Sequence, residues 1–230
     1  ATTEIYTLAL HDALPIYNNI EASIERKSKS IAEELELDDR IEITAKKEPF
    51  ITLKDHKPNF DTNPKGRLIN PTKSEIGKIS KQTLDKINKR VMEKTKTNLW
   101  RNTREVIKWF QAIENKSIYR FISFDVVEYY PSITEKLLED ALDFASQFDT
   151  ISQEERDIIM HAKRSCLYAN GSAWGKNNSR ELFDVTMGSW DGAETCELVG
   201  GYMLSLIRAK HGNNIGLYRD DGLGAFQASP

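Results

Sequence analysis

Phe121-Ile-Ser-Phe124-Asp125-Val126-Val-Glu128-Tyr129-Tyr130-Pro-Ser132-Ile133 is the stretch on which the reading of this chain turns. The run from Ile118 to Val126 is rich in β-branched and aromatic residues and predicts a buried strand. It delivers Asp125 at its end. A second acidic place has the same local form: Ile215-Gly-Leu-Tyr218, then Arg219-Asp220-Asp221, then Gly222 to Phe226, which reads as strand, acidic turn, strand. Taken singly, an Asp pair in a turn is most often just a turn, and a strand-terminal Asp is usually a cap. Taken together, three carboxylates gathered at strand ends repel one another unless divalent cations sit among their oxygens. Two Mg²⁺ ions about 3.5–4 Å apart are suited to an in-line phosphoryl displacement.

Working outward, Ile20 to about Leu37 reads as a charged helix with Ile24, Ile31 and Leu35 at helical spacing. Phe50 to Leu53 and Arg67 to Ile69 read as short strands, separated by turn signals at Lys54–Pro58 and Asn63–Gly66. A helix is expected from Lys78 to about Lys94, with Ile79, Leu84, Ile87 and Val91 inward. Asn102-x-x-Glu105 opens another, with Val106, Ile107, Trp109, Phe110 and Ile113 on its buried side. Ser132-x-x-Glu135 and Ser152-x-x-Glu155 are capping boxes for two further helices, the second ending near the hairpin signal Asn170-Gly171. Leu182 to Val185 reads as a strand leading to Met187-Gly188-Ser189. Asp191-x-x-Glu194 caps a helix carrying Leu198, Val199, Tyr202, Leu206 and Ile207. The alternation indicates a mixed α+β core.

Composition excludes several classes. The 230 residues are 39% hydrophobic and 29% charged, as in a globular chain, and no apolar run reaches membrane-spanning length. Two cysteines, Cys166 and Cys196, form no zinc or disulfide framework, so no disulfide partner is expected and an intracellular setting, cytoplasm or nucleus, is implied. The formal net charge of −3 conceals an asymmetry. Between Lys46 and Lys108 lie 17 basic and 7 acidic residues, a net of +10, which leaves −13 for the rest. A basic segment beside an acidic one suits a protein that grips a polyanion in one place and cations in another. A solvated charged helix face is the plainer account of such a run.

The order of motifs adds what no single motif carries. Phe124-Asp125 through Ile133, then Met187-Gly188-Ser189, then Tyr218-Arg-Asp220-Asp221 resembles motifs A, B and C of reverse transcriptases. Upstream, Leu53-Lys54-Asp-His56-Lys57 and Gly66-Arg67-Leu-Ile-Asn70-Pro71 look like the fingers motifs of that family, nearest to retroelements of the Penelope-like or intron-like kind. The resemblance covers roughly residues 49 to 226.

The resemblance implies an α+β right-hand polymerase: fingers plus a palm with an antiparallel sheet and packed helices, cut before the thumb. It implies RNA-directed DNA synthesis, the template-directed addition of dNTPs to a primer 3′-hydroxyl with two Mg²⁺ ions or Mn²⁺ in their place. Asp125 and Asp220 would be the main metal ligands, with Asp221 assisting and the Val126 carbonyl completing the shell. Tyr130 would be a steric gate against the 2′-hydroxyl; read without the motif, it is a core aromatic. Arg67 would clamp the triphosphate, and Lys54 is a second candidate for it. Gly188 and Ser189 would bring backbone close to the nascent base pair; read without the motif, they make an ordinary turn before a helix. Lys57 and the basic helix of Lys78, Lys81, Lys86 and Lys89 would hold the backbone of an RNA template or DNA primer, without sequence preference.

Two departures stand out. Many relatives carry Pro and a second Ser after the Gly-Ser pair, whereas this chain has Trp190-Asp191-Gly-Ala-Glu194. The chain also stops nine residues after Asp221, so a fragment is expected. The expected division is residues 1–16 as sequence resembling a translated sequencing adapter, 17–48 a helical extension, 49–116 fingers and 117–230 an incomplete palm. The alternatives are an inactive nucleic-acid-binding relic of such a polymerase and an RNA-directed RNA polymerase.

Overall fold

The computed structural model describes residues 13–15, 18–36, 47–56, 60–71, 73–169, 172–176 and 182–227. Most of the segment 1–16, Lys57 and the Asn170-Gly171 turn therefore lie outside the described residues. The chain divides into two compact units. One contains residues 1–83 and 153–192, the other residues 84–152 and 193–230. Each unit is assembled from two separate stretches of the chain.

In the first unit, β1 (Ala13–Pro15) pairs antiparallel with β7 (Ser172–Lys176), which pairs in turn with β6 (Leu167–Ala169). Part of the segment set aside in the sequence thus enters a sheet. The helix α1 (Asn18–Glu34) has the expected apolar spacing: Ile31 joins Ile76 and Ile158, and Ile24 packs on Cys166, Tyr168, Ala173 and Leu182. β2 (Phe50–Leu53) and β3 (Gly66–Ile69) form the expected antiparallel ribbon, with Thr52 opposite Arg67. α2 (Glu75–Thr95) starts three residues before the sequence suggests. Ser74 Oγ accepts the Gly77 N–H at 3.1 Å and supplies the missing start signal.

In the second unit, the sheet order is β4 (Asn98–Leu99), β8 (Ile215–Tyr218), β9 (Asp221–Gln227), β5 (Tyr119–Asp125). One sheet face carries Phe124, Phe226, Ile215 and Leu217, which pack with Leu99 and Met92 and with Leu204 and Ile207 of α7 (Gly192–His211). The other face carries Phe121, whose ring lies 5.2 Å from that of Phe110 on α3 (Thr103–Ala112). A single turn, α4 (Tyr129–Ser132), follows β5 and leads to α5 (Glu135–Ala145).

Several expectations are corrected. The strand ending at Asp125 is not buried; β5 is the sheet's edge, and Phe121 and Ile122 are 38% and 50% exposed. α3 also has no buried residue, with Ile107 and Phe110 exposed, although Asn102 does cap it by accepting the Glu105 N–H. Thr134, not Ser132, caps α5 by accepting the Leu137 N–H, while the Ser132 hydroxyl turns back to the Tyr129 carbonyl. The helix α6 (Gln153–His161) stops well short of Asn170, because β6 occupies the intervening chain. Leu182–Val185 contributes only an isolated bridge, Phe183 to Arg164. In α7, Leu198 and Val199 are buried as expected, but Leu204 is buried where Leu206 was expected to be, and Leu206 faces out.

Candidate active site

Asp125, the last residue of β5, lies directly opposite Asp221, the first of β9, and Tyr218 lies opposite Asp221 on the other side. Residues so paired share one face of the sheet, with Cβ atoms about 4.5–5.5 Å apart. Asp220 occupies the β8–β9 turn, and its carbonyl accepts the Val126 N–H at 2.8 Å. Both acidic places named by the sequence thus meet at one end of one sheet, and all three carboxylates are exposed.

The chain is bent on both flanks of this end. Arg219 takes φ +57° and Glu128 φ +50°, left-handed conformations that bulky residues rarely adopt. Such outliers persist only where neighbouring structure enforces them, and they cluster at functional sites. On the opposite face, Gly222 lies under the Phe124 ring, and a Cβ there would come within 2.1 Å of it. The ring therefore lies over β9 on the face away from the carboxylates.

At the level of fold, the chain resembles a telomerase. The apo telomerase of Candida tropicalis, truncated from its C-terminal domain, matches with a TM-score of 0.52 at 13% identity. The match covers 90% of this chain and 49% of the other, so the chain spans about half the length of that protein. The likeness is one of fold, coarsely reverse-transcriptase-like. No protein-family model matches the sequence, and no curated protein matches it.

The two tyrosines after Asp125 divide the work. Tyr129 is buried and donates to the Cys196 carbonyl at 2.6 Å, docking the chain after β5 onto α7. Gly200 makes room for it: a Cβ there would come 2.9 Å from the Tyr129 oxygen. Burial, with Cys196, Tyr130 and Asp220 nearby, raises the Tyr129 phenol well above the usual range. Tyr130 is half-buried, and burial foremost pushes it up to about 12, with Cys196 adding and Arg219 opposing. Both phenols stay protonated at neutral pH, so Tyr130 can act as a ring or a hydroxyl and not as a base.

The remaining residues named by the sequence belong mostly to the first unit. Arg67 is exposed on β3, and Lys54 is half-buried at the end of β2, its N–H bonded to the Lys65 carbonyl at 2.8 Å. β3 leads straight to the Gly188 turn. The Asn70 N–H donates to the Met187 carbonyl at 2.9 Å, and the buried Asn70 side chain donates to the Cys166 carbonyl. Gly188 has φ +109°, and a Cβ would approach the Asn70 carbonyl oxygen to 2.6 Å, so only glycine fits. The Ser189 hydroxyl donates to the Thr186 carbonyl, so its side chain serves the turn. Lys78 is exposed and pairs with Glu75 at 3.7 Å, and Lys81 is half-buried. Lys86 and Lys89 lie exposed on the part of α2 within the second unit.

Sequence reasoning missed one cluster. Lys163, Asp191 and Ser80 are 1%, 0% and 0% exposed. The Lys163 ammonium and the Ser80 hydroxyl both donate to Asp191 Oδ2. Asp191 looked like a helix cap, and nothing around Lys163 marks it as buried, since lysine is among the residues least often found inside.

Among the described residues, no group of three or more His, Cys, Asp or Glu side chains converges to hold a metal ion. Asp125, Asp220 and Asp221 are nevertheless hard oxygen donors of the kind Mg²⁺ takes, on backbones the sheet register brings together. The donor chemistry fits such an ion, while the carboxylates themselves stand apart. Among the same residues, no helix is long and apolar enough to cross a membrane.

Proposed function

We propose that this chain is the fingers and palm portion of an RNA-directed DNA polymerase of a mobile retroelement, which extends a primer 3′-hydroxyl with dNTPs. The observation that carries the reading is the apposition of Asp125 with Asp221, tied by the Val126–Asp220 backbone bond. Its occurrence in a chain whose fold resembles a telomerase over 90% of its length supports it.

In this reading Asp125, Asp220, Asp221 and the Val126 carbonyl would hold two Mg²⁺ or Mn²⁺ ions. When bound, these supply Lewis-acid stabilisation of the attacking and leaving oxygens. The chain's own residues bind and orient. The exposed Arg67 guanidinium suits bidentate contact with the triphosphate, and Lys54 backs it. Tyr130, anchored through its docked neighbour Tyr129, lays its ring against the sugar and leaves no room for a 2′-hydroxyl. Gly188 and Ser189 offer a close backbone approach to the nascent base pair. Lys57, Lys78, Lys81, Lys86 and Lys89 meet the phosphates of template or primer, a contact independent of sequence.

The test is incorporation on an RNA template with a DNA primer, comparing dNTPs with NTPs. The expected result is strong preference for dNTPs, relaxed in Tyr130→Ala by a rise in ribonucleotide incorporation. Preference for NTPs in the unaltered protein would replace this reading with an RNA polymerase.

A further inference from the structure

Lys163 holds one loop at both of its ends. It stands just beyond α6, with its own N–H bonded back to the Met160 carbonyl at 3.2 Å, so the end of that helix carries it. Its carbonyl accepts the Asp184 N–H at 2.9 Å, and its ammonium donates to Asp191 Oδ2. The chain between those two attachments is the segment that bears Gly188 and Ser189. Ser80 on α2 donates to the same Asp191 oxygen and fixes the exit a second time.

The tip of the loop is fastened separately. The Asn70 N–H donates to the Met187 carbonyl at 2.9 Å, and the Ser189 hydroxyl to the Thr186 carbonyl at 3.1 Å. Lys163, Val185 and Asp191 lie in the interior, whereas Gly188 at the tip is exposed. The base is therefore buried and the tip presented. A buried ion pair adds little stability over apolar side chains of the same volume, because desolvation cancels most of its attraction. What it adds is register. Apolar groups can slide over one another, but an ammonium and a carboxylate in the interior tolerate only the arrangement that pairs them.

We propose that Lys163 is a positioning residue: its pairing with Asp191 staples the base of the 184–191 loop and so sets where the Gly188–Ser189 backbone stands against the nascent base pair. The proposal rests on the polymerase reading and deepens it, by naming the residue that aligns this turn for the incoming nucleotide.

Lys163→Met combined with Asp191→Leu tests it, because the pair is removed while side-chain volume and the Lys163 carbonyl are kept. Residue-resolved amide exchange reads the loop without any nucleotide: the Asn70 amide reports the tip through its bond to Met187, and the amides of β6 and β7 report the unit as a whole. In the double variant Asn70 exchange should rise about 10- to 150-fold, and the β6 and β7 amides should change less than about threefold. The kcat/KM for a correct dNTP should fall by up to about 100-fold, through KM and not kcat. Ser80→Ala keeps the ion pair. It should lower the urea midpoint yet leave KM, and Asn70 exchange relative to β6 and β7, as in the unaltered protein. Unchanged Asn70 exchange in the double variant, or an equal rise throughout β6 and β7, overturns the staple. A KM that stays constant while Asn70 exchange rises overturns its positioning role. If the unaltered protein incorporates no nucleotide while Asn70 exchange responds as expected, the staple stands and the polymerase reading falls. If incorporation is robust and Asn70 exchange does not respond, the reverse holds.

Discussion

Asp191→Ala should be among the most damaging single substitutions in this chain. It removes the carboxylate that receives both the Lys163 ammonium and the Ser80 hydroxyl, and the Lys163 and Asp191 side chains are each 1% exposed. An unbalanced buried charge costs about 3–5 kcal/mol, a large part of the roughly 5–15 kcal/mol that holds a domain folded. Lys163→Met strands the carboxylate instead and should cost about the same, slightly eased by the Ser80 hydroxyl. Ser80→Ala leaves the ion pair intact and should cost about 2 kcal/mol. The decisive variant is Lys163→Met with Asp191→Leu, which replaces the pair by apolar groups of similar size and should return to within about 1 kcal/mol of the unaltered chain. Urea unfolding followed by circular dichroism gives each value from the midpoint at constant slope. A double variant that loses the sum of the two single losses would refute the coupling, and single losses below about 1 kcal/mol would refute the burial.

Gly188→Ala should destabilise the first unit by about 1–3 kcal/mol, because the new Cβ meets the Asn70 carbonyl oxygen at 2.6 Å in a left-handed backbone; thermal unfolding reads it directly. Gly222→Val should cost a similar amount by overpacking against Phe124 and should disturb the Asp125–Asp221 pairing, with backbone amide exchange in β5 and β9 as the local measure. His161, bonded to Ser28 Oγ at 2.8 Å, is lowered to about 4 by burial first and then by Lys27 and Arg164. The unfolded chain therefore binds the extra proton between about 6.5 and 4, so this contribution is full above about 6.5 and is lost as pH falls, by up to about 3 kcal/mol. Unfolding of His161→Gln across that window should have a shallower pH dependence than the unaltered chain; identical slopes would dismiss His161 as the source.

What could be read in the sequence, and what could not, follows from the range of the forces involved. Helical spacing is a local property, so α1 and α2 and their buried Ile31, Leu84, Ile87 and Val91 were legible. The β8–β9 hairpin was legible too, because Arg219-Asp220 between two apolar runs is a short-range signal. Strand order is not local. β5 has the composition of a central strand but lies at the sheet edge with β9 as its sheet neighbour, and nothing between Ile118 and Val126 encodes that. The same holds for α6, where apolar content suits helix beyond His161 and pairing with β7 draws Leu167–Ala169 into a strand instead. Lys163 was illegible for a third reason: its burial depends on a carboxylate 28 positions away and a hydroxyl farther still. Among the site residues, Asp125 and Asp220–Asp221 declared themselves by their place at strand ends. Asn70, which fastens the Gly188 turn, became visible only through its bonds to Met187 and Cys166.

The central claim is that the carboxylates at the end of β5 and β9 support template-directed DNA synthesis. Primer extension by protein expressed from the full open reading frame, with an RNA template, dNTPs and Mg²⁺, tests it most directly. Extension should occur, and it should vanish in Asp220→Asn while the fold, followed by circular dichroism, is unchanged. Equal extension by Asp220→Asn, or no extension by the unaltered protein, would contradict the account.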